Sequence, residues 1–131
     1  VKGGVECILG GKIDPVFGPM VMLGIGGIYA EVMKDIAFAE APVSRDKAKL
    51  MISSLKSKDI FLGARGQSAV DIDGLIDAIV NLSNFIAINS DKIDQVEMNP
   101  ILVSKNNVIA LDALINTKSD YLEGEESGRK S

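Results

Sequence analysis

The sequence contains no histidine, no tryptophan and one cysteine, Cys7. Without histidine the chain lacks the commonest general base and proton shuttle, so any histidine chemistry must come from another domain or subunit. A single cysteine cannot form an intrachain disulfide, which favours a reducing compartment and predicts a cytoplasmic location. The apolar neighbours of Cys7 favour a buried strand residue over a nucleophile.

Basic charge is also scarce. The 131 residues include 14 Lys and Arg against 18 Asp and Glu, a net charge of −4, and no segment is obviously basic. Nucleic acid is therefore not an expected partner. The uncharged stretch 15–30 is shorter than the ~20 residues of a membrane span and is interrupted by glycine and proline, so a membrane is not expected either. The hydrophobic content of 47% predicts one globular domain.

The ends of the chain suggest a piece of something larger. The sequence starts at Val1, directly before an apolar segment and without a methionine, which predicts a fragment or a processed chain. Residues 118–131 are polar and are predicted to be a disordered tail. We therefore expect a partial domain over residues 1–117.

The hydrophobic pattern predicts an α+β fold. Strands are expected over 5–14, 20–25 and 29–38, the first two as a hairpin. Helical spacing predicts helices from Ser44 to about Lys56 and from Asp71 to about Ile88, each with a capping first residue. Two strands over 93–112 form a second hairpin. Strands clustered at both ends of the chain favour an antiparallel sheet with the two helices on one face.

The stretch from Gln95 to Leu114 carries the first candidate site. Pairing Val103 with Val108 across a polar four-residue turn places Asn99 opposite Asp112. Glu97 shares their face because strand side chains alternate. Hard cations such as Mg²⁺ prefer such oxygen ligands, often together with substrate phosphates. A solvated hairpin end is the alternative for the same spacing.

Three other segments are candidates for ligand contacts. The glycines of Gly24-Ile25-Gly26-Gly27 expose N–H groups that suit an anion, or simply make a bend. In the predicted strand over 29–38, Glu31 and Asp35 either line a ligand site or lie on a half-solvated face. Arg65 suits a phosphate, or is a solvated loop arginine.

Three motifs, taken together and in order, resemble the ATP-grasp domain of the ADP-forming acyl-CoA synthetases, such as ADP-forming acetyl-CoA synthetase. They are Asp14-Pro15-Val16-Phe17-Gly18-Pro19, then Gly24-Ile25-Gly26-Gly27-Ile28, and then Glu97-Met98-Asn99-Pro100 followed by Leu111-Asp112-Ala113. The resemblance covers about residues 5–115. It implies interconversion of acyl-CoA, ADP and phosphate with acid, CoA and ATP, through an acyl phosphate and a phosphohistidine. The chain resembles the second of the two subdomains between which this family holds ATP or ADP.

The resemblance also implies roles for individual residues. By analogy with the related succinyl-CoA synthetase β subunit, Asn99 and Asp112 would hold Mg²⁺, and Glu97 would act catalytically, facing the phosphohistidine. The nucleotide contacts that we expect are Glu6, Gly26, Gly27, Glu31 and Arg65. The expected partners are the first ATP-grasp subdomain and the domains or subunit that bind CoA and carry the histidine. Alone, the chain is expected to be inactive and to self-associate.

The sequence departs from the family pattern where an arginine is common, at Ile13 and near Ala39. These losses favour an alternative, a non-catalytic regulatory ligand-binding region of a synthetase-like protein acetyltransferase. The retained Glu97, Asn99 and Asp112 favour the enzyme.

Overall fold

The computed structural model describes residues 4–25, 35–62 and 70–118. This part of the chain forms six strands and two α-helices: β1 (Val5–Asp14), β2 (Gly18–Ile25), β3 (Ile36–Glu40), α1 (Arg45–Ser54), α2 (Ile72–Ile88), β4 (Ile93–Val103), β5 (Val108–Ala110) and β6 (Ala113–Thr117). A short 3₁₀ helix, Lys58–Leu62, follows α1. All strand pairs are antiparallel, in the order β3-β2-β1-β4-β5, and β6 also pairs with β4. The predicted α+β class is confirmed.

Both helices pack on one face of the sheet. Alternate strand residues, including Cys7, Leu9 and Leu23, are fully buried there, under an apolar side of α2. That side consists of Leu75, Ile76, Ile79, Leu82 and Ile86. Gly11 lets α2 approach, because a Cβ at that position would lie 3.2 Å from Cβ of Ile86. Burial raises the pKa of the Cys7 thiol to about 12, which suits a core residue and not a nucleophile.

The helix caps lie where the sequence predicts them. The Ser44 side chain accepts the N–H of Lys47 at 3.1 Å, and the Asp71 side chain accepts the N–H of Gly74 at 2.9 Å. Each bond satisfies one of the N–H groups that a helix start leaves unpaired. The first helix ends at Ser54, slightly before the predicted end. Neither described helix is long and apolar enough to cross a membrane.

Residues 29–34 of the predicted third strand lie outside the described residues, and for the rest of that strand the prediction is wrong in two respects. Within the described residues, β3 begins at Ile36, and Asp35 precedes it. Asp35 is only 2% exposed and does not lie on a ligand-binding face. Its carboxylate accepts the N–H groups of Lys56 and Ser57, at 2.5 and 2.8 Å. Burial alone would raise its pKa, but these N–H groups outweigh burial and lower it. Asp35 therefore ties the start of β3 to the segment after α1.

No described helix covers the other face of the sheet. We call this the open face, and its residues include Glu6, Lys12, Met22, Phe38 and Glu97. Alternation groups Ile36 and Phe38 as the apolar side of the third strand, yet they are 37% and 62% exposed, whereas Ala37 between them is buried. The reason is register, since Phe38 pairs with Met22, and the two side chains lie on the open face.

Candidate functional site

The site lies at an irregularity between two central strands. The pairing of β1 with β4 shifts from Cys7 opposite Ile101 to Leu9 opposite Met98. Asn99 and Pro100 therefore both lie opposite Ile8, the single residue between Cys7 and Leu9, which makes a β-bulge. The peptide bond that joins Asn99 and Pro100 is cis. Bulges often re-aim side chains next to functional sites.

The hairpin register is as the sequence predicts. Val103 pairs with Val108, and Ile101 pairs with Ala110. Beyond that pair, the N–H of Asn99 donates to the carbonyl of Asp112 at 3.1 Å. The second strand is interrupted at Leu111 and Asp112 and resumes as β6, a sixth strand that the sequence analysis did not separate. The two candidate metal ligands are thus adjacent across a strand pair.

Three polar side chains meet at this point. Nδ2 of Asn99 donates to Oε2 of Glu97 at 3.4 Å, and Oδ1 of Asp112 accepts the N–H of Ala113 at 2.9 Å. Within the described residues, Oδ1 of Asn99 and Oδ2 of Asp112 have no hydrogen-bond partner. Glu97, Asn99, Asp112, Ala113 and Leu114 line an open depression of about 180 Å³, which we call the first depression.

The donor set of the first depression fits Mg²⁺ on a phosphate. It offers two carboxylates and one amide oxygen, all hard ligands. Among the described residues, no three acidic or cysteine side chains converge to form a complete metal site. Mg²⁺ typically takes one or two carboxylates and completes its shell with water and substrate phosphates, so the two carboxylates and the amide fit such an ion.

A second depression of about 220 Å³ lies on the other side of Glu97, also on the open face. Its lining comes from four strands and includes Gly10, Lys12, Met20, Met22, Phe38, Gln95 and Glu97. The register places Gly10 opposite Glu97 and Lys12 opposite Gln95. The sequence analysis did not identify this depression, because its residues are distant in the chain. One feature of the sequence could have indicated it, since Lys12 is the one lysine or arginine within the six described strands.

The remaining candidate residues are not brought together. Glu6 is exposed on the open face of β1, opposite Leu102, and lines neither depression. Gly26, Gly27, Glu31 and Arg65 lie outside the described residues. The described geometry therefore unites Glu97, Asn99 and Asp112 and leaves Glu6 apart from them.

Known proteins resemble this chain in sequence. A family model described as an ATP-grasp domain matches residues 1–117. The ADP-forming 4-hydroxybutyrate–CoA ligase of Nitrosopumilus maritimus is 46% identical over 103 residues, which are 79% of this chain and 15% of that protein. The β subunit of ADP-forming acetate–CoA ligase I from Pyrococcus furiosus is 41% identical over 110 residues, 84% of this chain and 47% of that subunit.

A solved structure shows the same fold. Acetyl-coenzyme A synthetase 1 of Ca. Korarchaeum cryptofilum, in complex with coenzyme A and Mg-AMPPCP, superposes with a TM-score of 0.83 at 34% identity. The match covers 90% of this chain and 55% of that one, and in that complex the phosphohistidine segment points towards the nucleotide binding site. This chain thus spans about half of its subunit-sized relatives and less of the single-chain ones. The relatives reported above are ADP-forming acid–CoA ligases, and the chain itself belongs to the ATP-grasp family.

Proposed function

We propose that this chain is the nucleotide- and Mg²⁺-binding part of an ADP-forming acyl-CoA ligase, formed by the second ATP-grasp subdomain over residues 1–117. The whole protein would convert acyl-CoA, ADP and phosphate to acid, CoA and ATP through an acyl phosphate and a phosphohistidine. The observation that carries the proposal is the meeting of Glu97, Asn99 and Asp112 in the first depression. The first subdomain and the parts that bind CoA and carry the histidine would complete the protein.

In this proposal, each of the three side chains has a separate task. Oδ1 of Asn99 and the carboxylate of Asp112 hold Mg²⁺, which neutralises charge on the nucleotide phosphates. Glu97 lines both depressions. In this proposal it faces the incoming histidine. Its carboxylate accepts the N–H of the imidazole nitrogen that does not carry phosphate, which orients the ring. Phosphoryl transfer depends mainly on such positioning and charge neutralisation.

Further nucleotide contacts belong to the same proposal. The N–H groups of Gly26 and Gly27 would approach the phosphates, and Arg65 would bind them bidentately. Glu6 and Glu31 are included as nucleotide contacts because the family resemblance implies them. Glu6 is the least supported of these, since it lies outside both depressions.

The regulatory alternative rested on the arginines that are absent at Ile13 and near Ala39. Ala39 is 5% exposed in the core, and Ile13 packs against that core. Both lie on the helix-covered side of the sheet and line neither depression. An arginine at Ile13 or at Ala39 itself would line neither depression, so its absence there does not count against the enzymatic proposal.

The test is a pair of substitutions in the full-length protein. Asp112→Asn removes a charge from the metal site, so we expect weaker Mg·ADP binding and turnover lowered about 100-fold, the scale of losing one electrostatic contact to the reacting group. Glu97→Gln keeps the metal pair, so Mg·ADP affinity should stay within about twofold while phosphoryl transfer slows. Calorimetry with Mg·ADP and steady-state turnover measure the two effects.

Asp94→Asn is the matched control, because Asp94 is an exposed carboxylate on β4, the strand of Glu97 and Asn99. It lies 3.8 Å from Nζ of Lys118 and outside both depressions. Its turnover should be normal. Near-normal turnover in Asp112→Asn would remove the metal assignment, and an equal loss in Asp94→Asn would show that the effect is not specific to the site.

A further inference from the structure

Lys12 is a cation on a face that otherwise carries carboxylates. It is the one lysine or arginine in the six described strands, and its side chain is exposed on the open face. The same face presents Glu97, which lines both depressions, and Asp112, which lines the first. A phosphoryl group that approached these two carboxylates without a nearby cation would be repelled.

The register places Lys12 beside Glu97. Gly10 lies opposite Glu97 and Lys12 opposite Gln95, so Lys12 and Glu97 are diagonal neighbours on one face. Such neighbours are about 7–8 Å apart, within reach of a lysine side chain. Both line the second depression, and Gly10 leaves its floor without a side chain.

The fold makes little use of the Lys12 ammonium group. Asp14 lines the same depression, but its carboxylate accepts the N–H groups of Val16 and Phe17, at 2.8 and 3.0 Å. These two bonds, more than the charge of Lys12, lower the pKa of Asp14. Within the described residues, Lys12 forms no ion pair. Its charge is therefore available to a ligand in the second depression.

We propose that Lys12 is a catalytic residue that binds the phosphoryl group on the histidine side of Glu97, as the group passes between nucleotide and histidine. This inference rests on the proposed function.

In the ligase direction, an imidazole nitrogen forms a bond to the γ-phosphorus while the bond to the β,γ-bridging oxygen breaks. The electron pair of the broken bond leaves with ADP. The second imidazole nitrogen keeps its proton and donates it in a hydrogen bond to the Glu97 carboxylate, which stabilises the positive charge that the ring gains. Lys12 holds the oxygens of the moving group, and Asn99 and Asp112 would hold Mg²⁺ on the nucleotide.

The experiment isolates this half-reaction in the full-length protein. Mg·ATP labelled at the γ-phosphate is mixed with enzyme in a single turnover, without acid or CoA, and label on the protein is followed. Lys12→Met should slow labelling about 100-fold, while the affinity for Mg·ADP stays within about twofold. Lys12→Arg, which keeps the charge, should recover most of the rate. Lys105→Met, in the exposed β4–β5 turn, is the matched control and should label normally.

The outcomes separate this inference from the proposed function. If the wild-type protein takes no label from Mg·ATP, the proposed function fails and the inference fails with it. If the wild type is labelled and Lys12→Met is labelled as fast, only the inference is wrong. The inference is also overturned if Lys12→Met weakens Mg·ADP binding as much as it slows labelling, or if Lys12→Arg is no better than Lys12→Met.

Discussion

The two faces of the sheet are built from the same strands but serve different purposes. On the covered face, Leu9, Leu23 and Ile101 are at most 1% exposed and pack with the helices. On the open face, Lys12 and Glu97 lie beside Phe38, which is 62% exposed. Burial of apolar area stabilises the fold, so the covered face carries most of the stability. The open face keeps uncommitted charges and exposed apolar groups, which are the groups that a ligand or a partner domain needs.

The largest expected effect comes from comparing a helix side chain that packs on the covered face with a strand side chain on the open face. Ile79 is fully buried under the sheet, so Ile79→Ala should lower the free energy of unfolding by about 2–5 kcal/mol. Met22 is half-buried on the open face, so Met22→Ala should cost less than about 1 kcal/mol. Urea unfolding of the full-length protein measures both. Equal costs would mean that the open face is itself packed, and the distinction between the faces would be lost.

Two adjacent glycines give a sharper comparison. Gly11 points at α2, where an added Cβ would meet three carbons of Ile86 at 3.2–3.4 Å. Gly11→Ala should therefore cost about 1–3 kcal/mol of stability, the usual effect of overpacking. Gly10 points into the second depression, where an added Cβ meets one close atom, the carbonyl oxygen of Val96 at 3.3 Å. We expect a smaller loss of stability from Gly10→Ala but slower phosphoryl transfer.

Denaturation of both variants and single-turnover labelling from Mg·ATP decide the second comparison. The assignment of the two glycines would be reversed if Gly11→Ala slowed labelling at normal stability while Gly10→Ala unfolded more easily.

The smallest expected effect concerns Asp35, a buried carboxylate that bonds to the segment after α1. Asp35→Asn replaces a carboxylate that accepts two N–H groups, and should cost about 1–2 kcal/mol near neutral pH. The folded-state pKa of Asp35 lies below its ordinary value of 3.8. Its contribution is therefore complete above that value and is lost as the pH falls through the folded-state pKa.

The difference in stability between wild type and Asp35→Asn should thus be constant from about pH 5 to 8 and shrink below about pH 4. Unfolding curves across this range measure it, with Asp59→Asn in the exposed part of the 3₁₀ helix as control. A difference that grew on acidification would mean that Asp35 is protonated in the folded protein.

The features that the sequence alone determined are those with local causes. The pairing that brings Asn99 to Asp112 follows from a short polar turn, so counting residues from Val103 and Val108 was sufficient. Alternation alone would have placed Glu97 on the face of Ile101 and Val103, and the bulge puts it on the other face. The capping bonds of Ser44 and Asp71 span three residues each. The family motif depends on the same short stretches, which is why the proposed metal pair could be named before any coordinates.

Only the tertiary structure decided which face of the sheet is open. Alternation separates Ala37 from Phe38 but does not say which of them meets the helices, because that depends on where α1 and α2 cross the sheet. Asp35 was placed wrongly for a similar reason, since its N–H partners lie 21 and 22 residues along the chain. The second depression joins side chains of four strands, and Lys12 comes near Glu97 through the pairing of β1 with β4. Long-range pairing, which no local pattern encodes, brings those groups together.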